Sequence, residues 1–435
     1  MAAFAIPLAA QTPVKDLLRR AEAAMEDEDR ALAEKLYLQV IDLDPDQSAP
    51  YYRLGLLARN AEVALGWFKQ YADLEPDDAW GWLAVGKKSL KVGKTREALA
   101  AFKRAAKLAP GAEDIQKGLS EGRLRAAPTL EPIAAYSGDS EDFRTWRYGL
   151  RGDLALRGGF RMGGRISRSD LRGQGQKASI DEFLIRLEGK PRLALRLDLT
   201  AGLARSAAQG TGLAGKFKVD PATTAEADLR LRWRATDDGP AFDVRLQRML
   251  FASNPVLVVS RAVLDDARLG LDLPVGPFRI RGMGRASLIE SAFEPSNRRL
   301  QADAALVLPF SGRGEVSMQV HSLGFEKASG AGYFAPKSVN TIEAGTYWEL
   351  GGEGLMSGEL DLGIGIQRLA KQGEEVGPWK PALRGWGYLA FDLAPTVQAR
   401  LEAEAYSAPF APAQAVAAEN WKYLSVSLGL LVRLR

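Results

Sequence analysis

Arginines and carboxylates alternate with apolar residues along much of this chain, at a spacing that could serve recognition. Across Thr224–Leu250, Leu229, Leu231 and Trp233 alternate with Arg230, Arg232 and Arg234. After Thr236-Asp237-Asp238-Gly239-Pro240, Phe242, Val244 and Leu246 alternate with Asp243, Arg245 and Gln247. A guanidinium presents a planar fork of N–H donors and a carboxylate presents acceptors, so such rows can hydrogen-bond a polar polymer or pair with one another. Successive strand side chains point to opposite faces, which makes each arm apolar on one side and charged on the other. The turn residues between the arms predict an antiparallel hairpin.

Catalytic chemistry finds little footing. The single histidine, His321, follows Glu315-Val316-Ser317-Met318-Gln319-Val320 and precedes Ser322, and is expected to be a solitary polar residue near a strand end. Nucleophilic catalysis through His and Ser needs a third, orienting group. No cysteine is present, which excludes disulfides and thiolate chemistry, and one histidine disfavours a metal site. Gly351-Gly352-Glu353-Gly354 lacks the strand and helix of a phosphate-binding turn. No basic patch with interleaved aromatics suggests nucleic acid. The expectation is a protein without enzymatic activity, cofactor or metal.

The same alternation recurs at Leu193, Leu195, Leu197 and Leu199, at Leu360, Leu362, Ile364 and Ile366, and from Leu424 through Val426, Leu428, Leu430 and Val432 to Leu434. A half-buried strand of a soluble sandwich would look the same locally. No amphipathic helix of useful length after about Asp142 could cover so many apolar faces, so the pattern favours an antiparallel transmembrane β-barrel over residues 143–435. At about 18 residues per strand and connection this segment holds roughly 16 strands, an even number. No run of 18 or more apolar residues exists, which permits an outer-membrane protein without arguing for one.

If the apolar parity meets lipid, the opposite parity lines the lumen. That set includes Arg147, Arg151, Arg161, Arg165, Arg196, Arg230, Arg232, Arg234, Arg245, Arg279, Arg281 and Arg384. Its acids include Asp153, Asp198, Asp243, Asp303, Glu315, Asp361, Asp392, Glu402 and Glu404. From Ala135 onward there are 39 Lys plus Arg, 30 of them Arg, against 34 Asp plus Glu, a difference of +5; the first 134 residues carry 19 and 20, a difference of −1. Leu389, Phe391 and Leu393 share one parity, while Arg384, Trp386, Tyr388 and Asp392 share the other. Rings beside hydrogen-bonding groups suit sugar stacking; alternatively Trp386 and Tyr388 belong to an interfacial girdle.

From Val14 to about Ala127 the period is helical. Ala33, Tyr37 and Pro45 recur as Ala64, Phe68 and Pro76 and again as Ala98, Phe102 and Pro110, with Leu43, Leu74 and Leu108 two places before each proline. Trp82 and Gly86 in the third unit correspond to Leu54 and Gly55 in the second. This resembles the tetratricopeptide repeat, with 34 residues between Pro76 and Pro110. The resemblance implies an all-α solenoid of three repeats over 14–126, capped by a helix at Ala112–Arg125, in which these residues are core and a partner protein binds the concave face. Residues 1–13, beginning MAAFAIPLAA, are expected to be a degenerate or truncated signal, the alternative being a frayed terminus, and 127–142 a linker.

Ser427, Gly429, Val432 and Leu434 resemble the terminal-strand pattern read by barrel insertion machinery, with Arg435 where an aromatic is commoner. Gly332-Tyr333-Phe334-Ala335-Pro336-Lys337 resembles the Gly-Tyr-Phe-Ser-Pro-Gln segment of cellulose synthase operon protein C, whose periplasmic tetratricopeptide repeats also precede a C-terminal barrel. Poly-N-acetylglucosamine export porins share that plan. The resemblance implies an outer-membrane channel for a secreted exopolysaccharide in a Gram-negative cell, with the repeats docking periplasmic or inner-membrane synthase partners. The competing class is an interaction protein in which the barrel anchors the repeats.

Overall fold

A computed structural model describes residues 8–192, 194–212, 215–236, 239–310, 313–351, 355–407 and 422–434. Two compact units divide the chain, one comprising residues 1–127 and 155–160, the other the rest. Among the described residues the first holds seven helices: α1 (Leu8–Glu26), α2 (Arg30–Leu43), α3 (Ser48–Leu57), α4 (Ala61–Leu74), α5 (Ala79–Lys91), α6 (Thr95–Leu108) and α7 (Glu113–Ala126). Helix α1 packs on α2, α3 on α4, α5 on α6, and α7 on α6. The expected leader therefore does not stop where a helix starts: α1 begins at Leu8, ahead of Val14, while residues 1–7 lie outside the described set.

The spacing of small and aromatic residues explains this packing. Ala33, Ala64, Ala98, Tyr37 and Phe102 are fully buried and Phe68 nearly so. A Cβ on Gly55 would stand 2.8 Å from the Phe68 ring, and one on Gly86 would stand 2.4 Å from the Phe102 ring. Glycine is thus required where an aromatic from the next helix presses on the backbone. Each repeat proline opens a turn whose carbonyl receives a bond from six residues downstream: Tyr51 Oη to Pro45, Trp82 Nε1 to Pro76 and Gln116 Nε2 to Pro110, at 3.1, 2.9 and 2.8 Å. Asp29, Asn60 and Asp78 cap α2, α4 and α5 through side-chain oxygens, each worth roughly 0.5–2 kcal/mol. Tyr37 donates to Glu22, which also receives Arg53; burial first, and then that bond, hold the Tyr37 phenol above its ordinary range.

The second unit is a closed barrel of 16 strands. These are β1 (Thr129–Asp139), β2 (Arg144–Ala155), β3 (Phe160–Gly173), β4 (Gln176–Arg192), β5 (Leu195–Gly212), β6 (Gly215–Arg234) and β7 (Ala241–Leu250). A short helix, α8 (Pro255–Val259), precedes β8 (Val263–Val275), β9 (Phe278–Glu290), β10 (Asn297–Phe310), β11 (Gly314–Phe325) and β12 (Ser338–Gly351). The chain finishes with β13 (Met356–Ala370), β14 (Lys380–Ala394), β15 (Val397–Tyr406) and β16 (Tyr423–Arg433). Each strand neighbours the next, and β1 closes on β16 with Ile133 opposite Gly429 and Tyr136 opposite Val426. Closure leaves no unpaired sheet edge.

The barrel starts earlier than expected. The expected linker, residues 127–142, contains β1, in which Leu130, Pro132, Ala134 and Tyr136 alternate with Glu131, Ile133, Ala135 and Ser137. Its small residues and proline mask the alternation. Pro132 also lacks a donor N–H, and the register on the β16 side skips Glu131 and Pro132 while the β2 side is continuous.

On β6 and β7 the register sets Leu229 opposite Leu246, Leu231 opposite Val244 and Trp233 opposite Phe242, whose rings lie 5.6 Å apart. Asp237 and Asp238 of the intervening turn lie outside the described residues. The apolar parity stays exposed around the barrel, at Ile166, Phe183, Leu203, Leu246, Leu269, Met318, Ile364 and Leu428 among others. A belt of this kind on a closed sheet with a charged inner wall meets the energetic requirement for a lipid-facing exterior. Connections differ between the two ends. Turns 276–277 and 395–396 are short at the end where β1 begins, whereas segments 251–262, 326–337 and 371–379 join strands at the other.

Candidate functional site

The inner wall carries arginine and carboxylate in register across neighbouring strands. Arg230 Nε donates to Asp243 at 2.6 Å, Arg232 Nη2 to Asp198 at 2.7 Å, and Arg234 lies 3.6 Å from Asp272. Arg245 grips Asp228 through Nε and Nη2 at 2.9 and 2.6 Å. Arg279 donates to Asp272, and Arg281 binds Glu315 with both terminal nitrogens. Arg384 bridges Glu343 and Asp361 at 2.9 and 2.6 Å. Arg196 lies 3.5 Å from both Glu188 and Asp198. A one-residue change of register would uncouple this lattice and turn its charges outward.

Parity places Asp392 on the inner face too, but near the end of β14, exposed and bonded to Gln398. His321 lies within β11, away from the expected strand end. Its Nδ1 is 3.0 Å from Asp303 Oδ1, so it is not solitary. Ser322 has the opposite parity and bonds Asn340, so the two do not form a nucleophile–base pair.

Aromatics cluster on one wall. Trp386 and Tyr388 project inward from the middle of β14, away from an interfacial girdle; Trp386 stands opposite Asp361 and Glu404, and Tyr388 opposite Glu359 and Glu402. Trp386 Nε1 donates to Glu402 at 2.8 Å, and Tyr406 Oη to Glu404 at 3.2 Å. Small residues on β16 and β1 leave room beside them. The result is a cavity of about 330 Å³ bounded by Tyr388, Glu402 and Glu404 on one side, Ser425, Ser427 and Gly429 at its floor, and Arg147, Arg151 and Arg165 opposite. The Nε of Arg165 meets no protein acceptor, which leaves a donor for a ligand or water.

Ser427 and Gly429 of the terminal pattern thus line this recess, while Val432 and Leu434 have the outward parity. Sequence reasoning missed Glu131, which receives both Arg151 and Arg400 and ties β1 to β2 and β15 across the closing seam. It also missed Arg285 and Arg299, which converge on Asp266 and Ser287, because the four residues come from three different strands.

The long-loop end is packed by apolar contacts. Phe251, Leu257, Ala331, Tyr333 and Ala335 form one cluster with Leu264 and Ile289. Val258 of α8 joins Leu171, Ile180 and Ala204 of β3–β5 in another. Asn254 Nδ2 donates to Gly332 O at 3.0 Å, and a Cβ on Gly332, at φ +98, would lie 2.5 Å from Val256. The segment Gly332–Lys337 therefore serves packing between loops. Of Gly351-Gly352-Glu353-Gly354, only Gly351 is described.

No protein-family model matches the chain, and no curated protein matches it. Among solved structures, a bacterial polysaccharide outer membrane secretin aligns with 71% of this chain and 99% of its own, at 11% identity and a TM-score of 0.48. The tetratricopeptide domain of Arabidopsis OM64 aligns over 26% of this chain and 97% of its own, at 15% identity and a TM-score of 0.25. MamA from Desulfovibrio magneticus aligns over 26% of this chain and 65% of its own, at 19% identity and a TM-score of 0.25. An O-GlcNAc transferase variant from Thermobaculum terrenum aligns over 27% of this chain, which spans 23% of that protein, at 22% identity and a TM-score of 0.25.

Proposed function

We propose that the protein is an outer-membrane channel through which a secreted polysaccharide leaves a Gram-negative cell. Its helices act as a periplasmic tetratricopeptide solenoid that docks synthase or assembly partners. The observation that carries this reading is the inner wall: a closed barrel with an apolar exterior has charged pairs along its interior and a recess where Tyr388 faces carboxylates and guanidinium groups. Hydroxyl groups of a sugar can both donate to Glu402 and Glu404 and accept from Arg147 and Arg165, while a ring face meets Tyr388. Transport of this kind requires no covalent step, cofactor or metal. The family resemblance points to cellulose or poly-N-acetylglucosamine as the glycan, and barrel insertion machinery reads the terminal strand.

A second reading, a membrane-anchored scaffold or receptor, draws on the packed long-loop end, where α8 and Gly332–Lys337 interlock. Planar-bilayer recording separates the two. The channel reading expects a steady conductance that soluble gluco-oligosaccharides reduce, with the block weakened at least threefold by Tyr388→Ala. Inserted protein that passes no current supports the anchor.

A further inference from the structure

We infer that the outward face of β3–β6, at the long-loop end, binds a lipid of the surrounding leaflet whose headgroup carries more than one phosphate. This rests on the membrane-spanning reading of the barrel. Following the outward parity up each strand, apolar residues give way to cations. Ile166 is followed by Arg168 and Arg172 on β3; Phe183 on β4 leads to Lys177, and Leu203 on β5 to Arg205. The β5–β6 register then adds Lys218 opposite Gln209 and Lys216 opposite Thr211.

Lys177 also stands opposite Gln209, so Lys177 and Lys218 flank one position of β5. Strands lie about 4.8 Å apart, so the six cations cover a patch roughly 15 Å wide, enough for more than one phosphate. Three carboxylates are nearby. Asp170 and Asp181 hold Arg168 at 3.3 and 3.1 Å, and Asp220 lies exposed where the β5–β6 register shifts. Among the described residues the other five cations make no ion pair, so their charge remains available.

Outward arginines elsewhere on this rim are engaged. Arg248 pairs with Asp265 at 2.6 Å and lies 3.8 Å from Glu290, Arg298 lies 4.0 Å from Glu326, and Arg368 stacks over Trp379. On this arc the five cations without an ion pair lie directly above side chains suited to acyl tails. A soluble polyanion would use the cations alone, whereas a lipid with phosphates on its headgroup uses both layers.

The test uses full-length protein in detergent micelles and measures binding of bisphosphorylated lipid A, dephosphorylated lipid A and phosphatidylglycerol. Wild type is expected to bind the bisphosphorylated form at least tenfold more tightly than either other lipid, with an affinity that falls as salt rises. Lys177→Gln, Arg205→Gln, Lys216→Gln and Lys218→Gln together should remove that tenfold preference, and Lys177→Gln with Lys218→Gln should remove part of it. Arg248→Gln should leave it intact. Equal binding of all three lipids by wild type, or by wild type and the quadruple variant, overturns the inference while the barrel reading stands. A chain that remains monodisperse without detergent and takes up no lipid overturns both.

Discussion

Replacing Arg230, Arg232 and Arg234 together by glutamine, and separately Leu231 by arginine, probes β6 from its two faces. The three arginines are about one-third to one-half exposed and pair with Asp243, Asp198 and Asp272. Screened pairs of this kind contribute roughly 0–1 kcal/mol each. Their carboxylates also keep other cations, Arg268 at 3.9 Å from Asp243, Arg196 at 3.5 Å from Asp198 and Arg279 at 2.8 Å from Asp272. The triple variant is therefore expected to insert. Leu231 has the outward parity and is 37% exposed. Arginine facing lipid costs about 2–4 kcal/mol at the midplane and about 0–1 kcal/mol near an interface; Leu231 stands three residues before the Arg234 end of β6, so a cost of about 1–2 kcal/mol is expected, roughly 5- to 30-fold in the insertion equilibrium. Parity alone predicts that the triple variant loses anion preference. The pairing adds a direction, because losing three positive charges leaves Asp243, Asp198 and Asp272 with one cation fewer each and should shift the reversal potential under a KCl gradient toward cation selectivity. Equal insertion defects in both proteins would refute the assignment of faces. Normal insertion with an unchanged reversal potential would remove these arginines from the permeation path.

Further outcomes follow from close contacts elsewhere. Gly86→Val should destabilise the helical unit by about 1–3 kcal/mol, because the new side chain meets the Phe102 ring from 2.4 Å; loss of helical circular dichroism at a lower temperature, with the strand signal retained, would show it. Gly332→Ala should loosen the long-loop packing, since φ is +98 and the Cβ would meet Val256 at 2.5 Å; faster proteolysis within 251–262 and 326–337 is the readout, and unchanged cleavage would contradict it. Removing residues 14–126 should leave a barrel that still migrates faster unboiled than boiled, while export fails; normal export by the truncated chain would show that the repeats dock no required partner.

The faces of the strands were legible because side-chain direction in a strand depends only on parity. Arg230 and Leu231 must oppose each other whatever the fold around them. The spacing of Ala33, Tyr37 and Pro45 and its recurrences likewise announced helix pairs, since an aromatic four residues after an alanine occupies the same helix face. Pairing partners were a different matter. Arg400 meets Glu131 across the closing seam, and Arg384 meets Glu343 on a strand two away, distances set by barrel register rather than by sequence neighbours. β1 hid behind alanines and Pro132, whose apolar contrast is too weak to register as alternation. The recess at Tyr388 exists only because Ser425, Ser427 and Gly429 of β16 are small where β14 is large. The interlock of Gly332 with Val256 depends on two loops that lie far apart in sequence. Local periodicity thus determined which side of the wall each residue occupies, and closure of the barrel decided which charges, rings and loops share a volume.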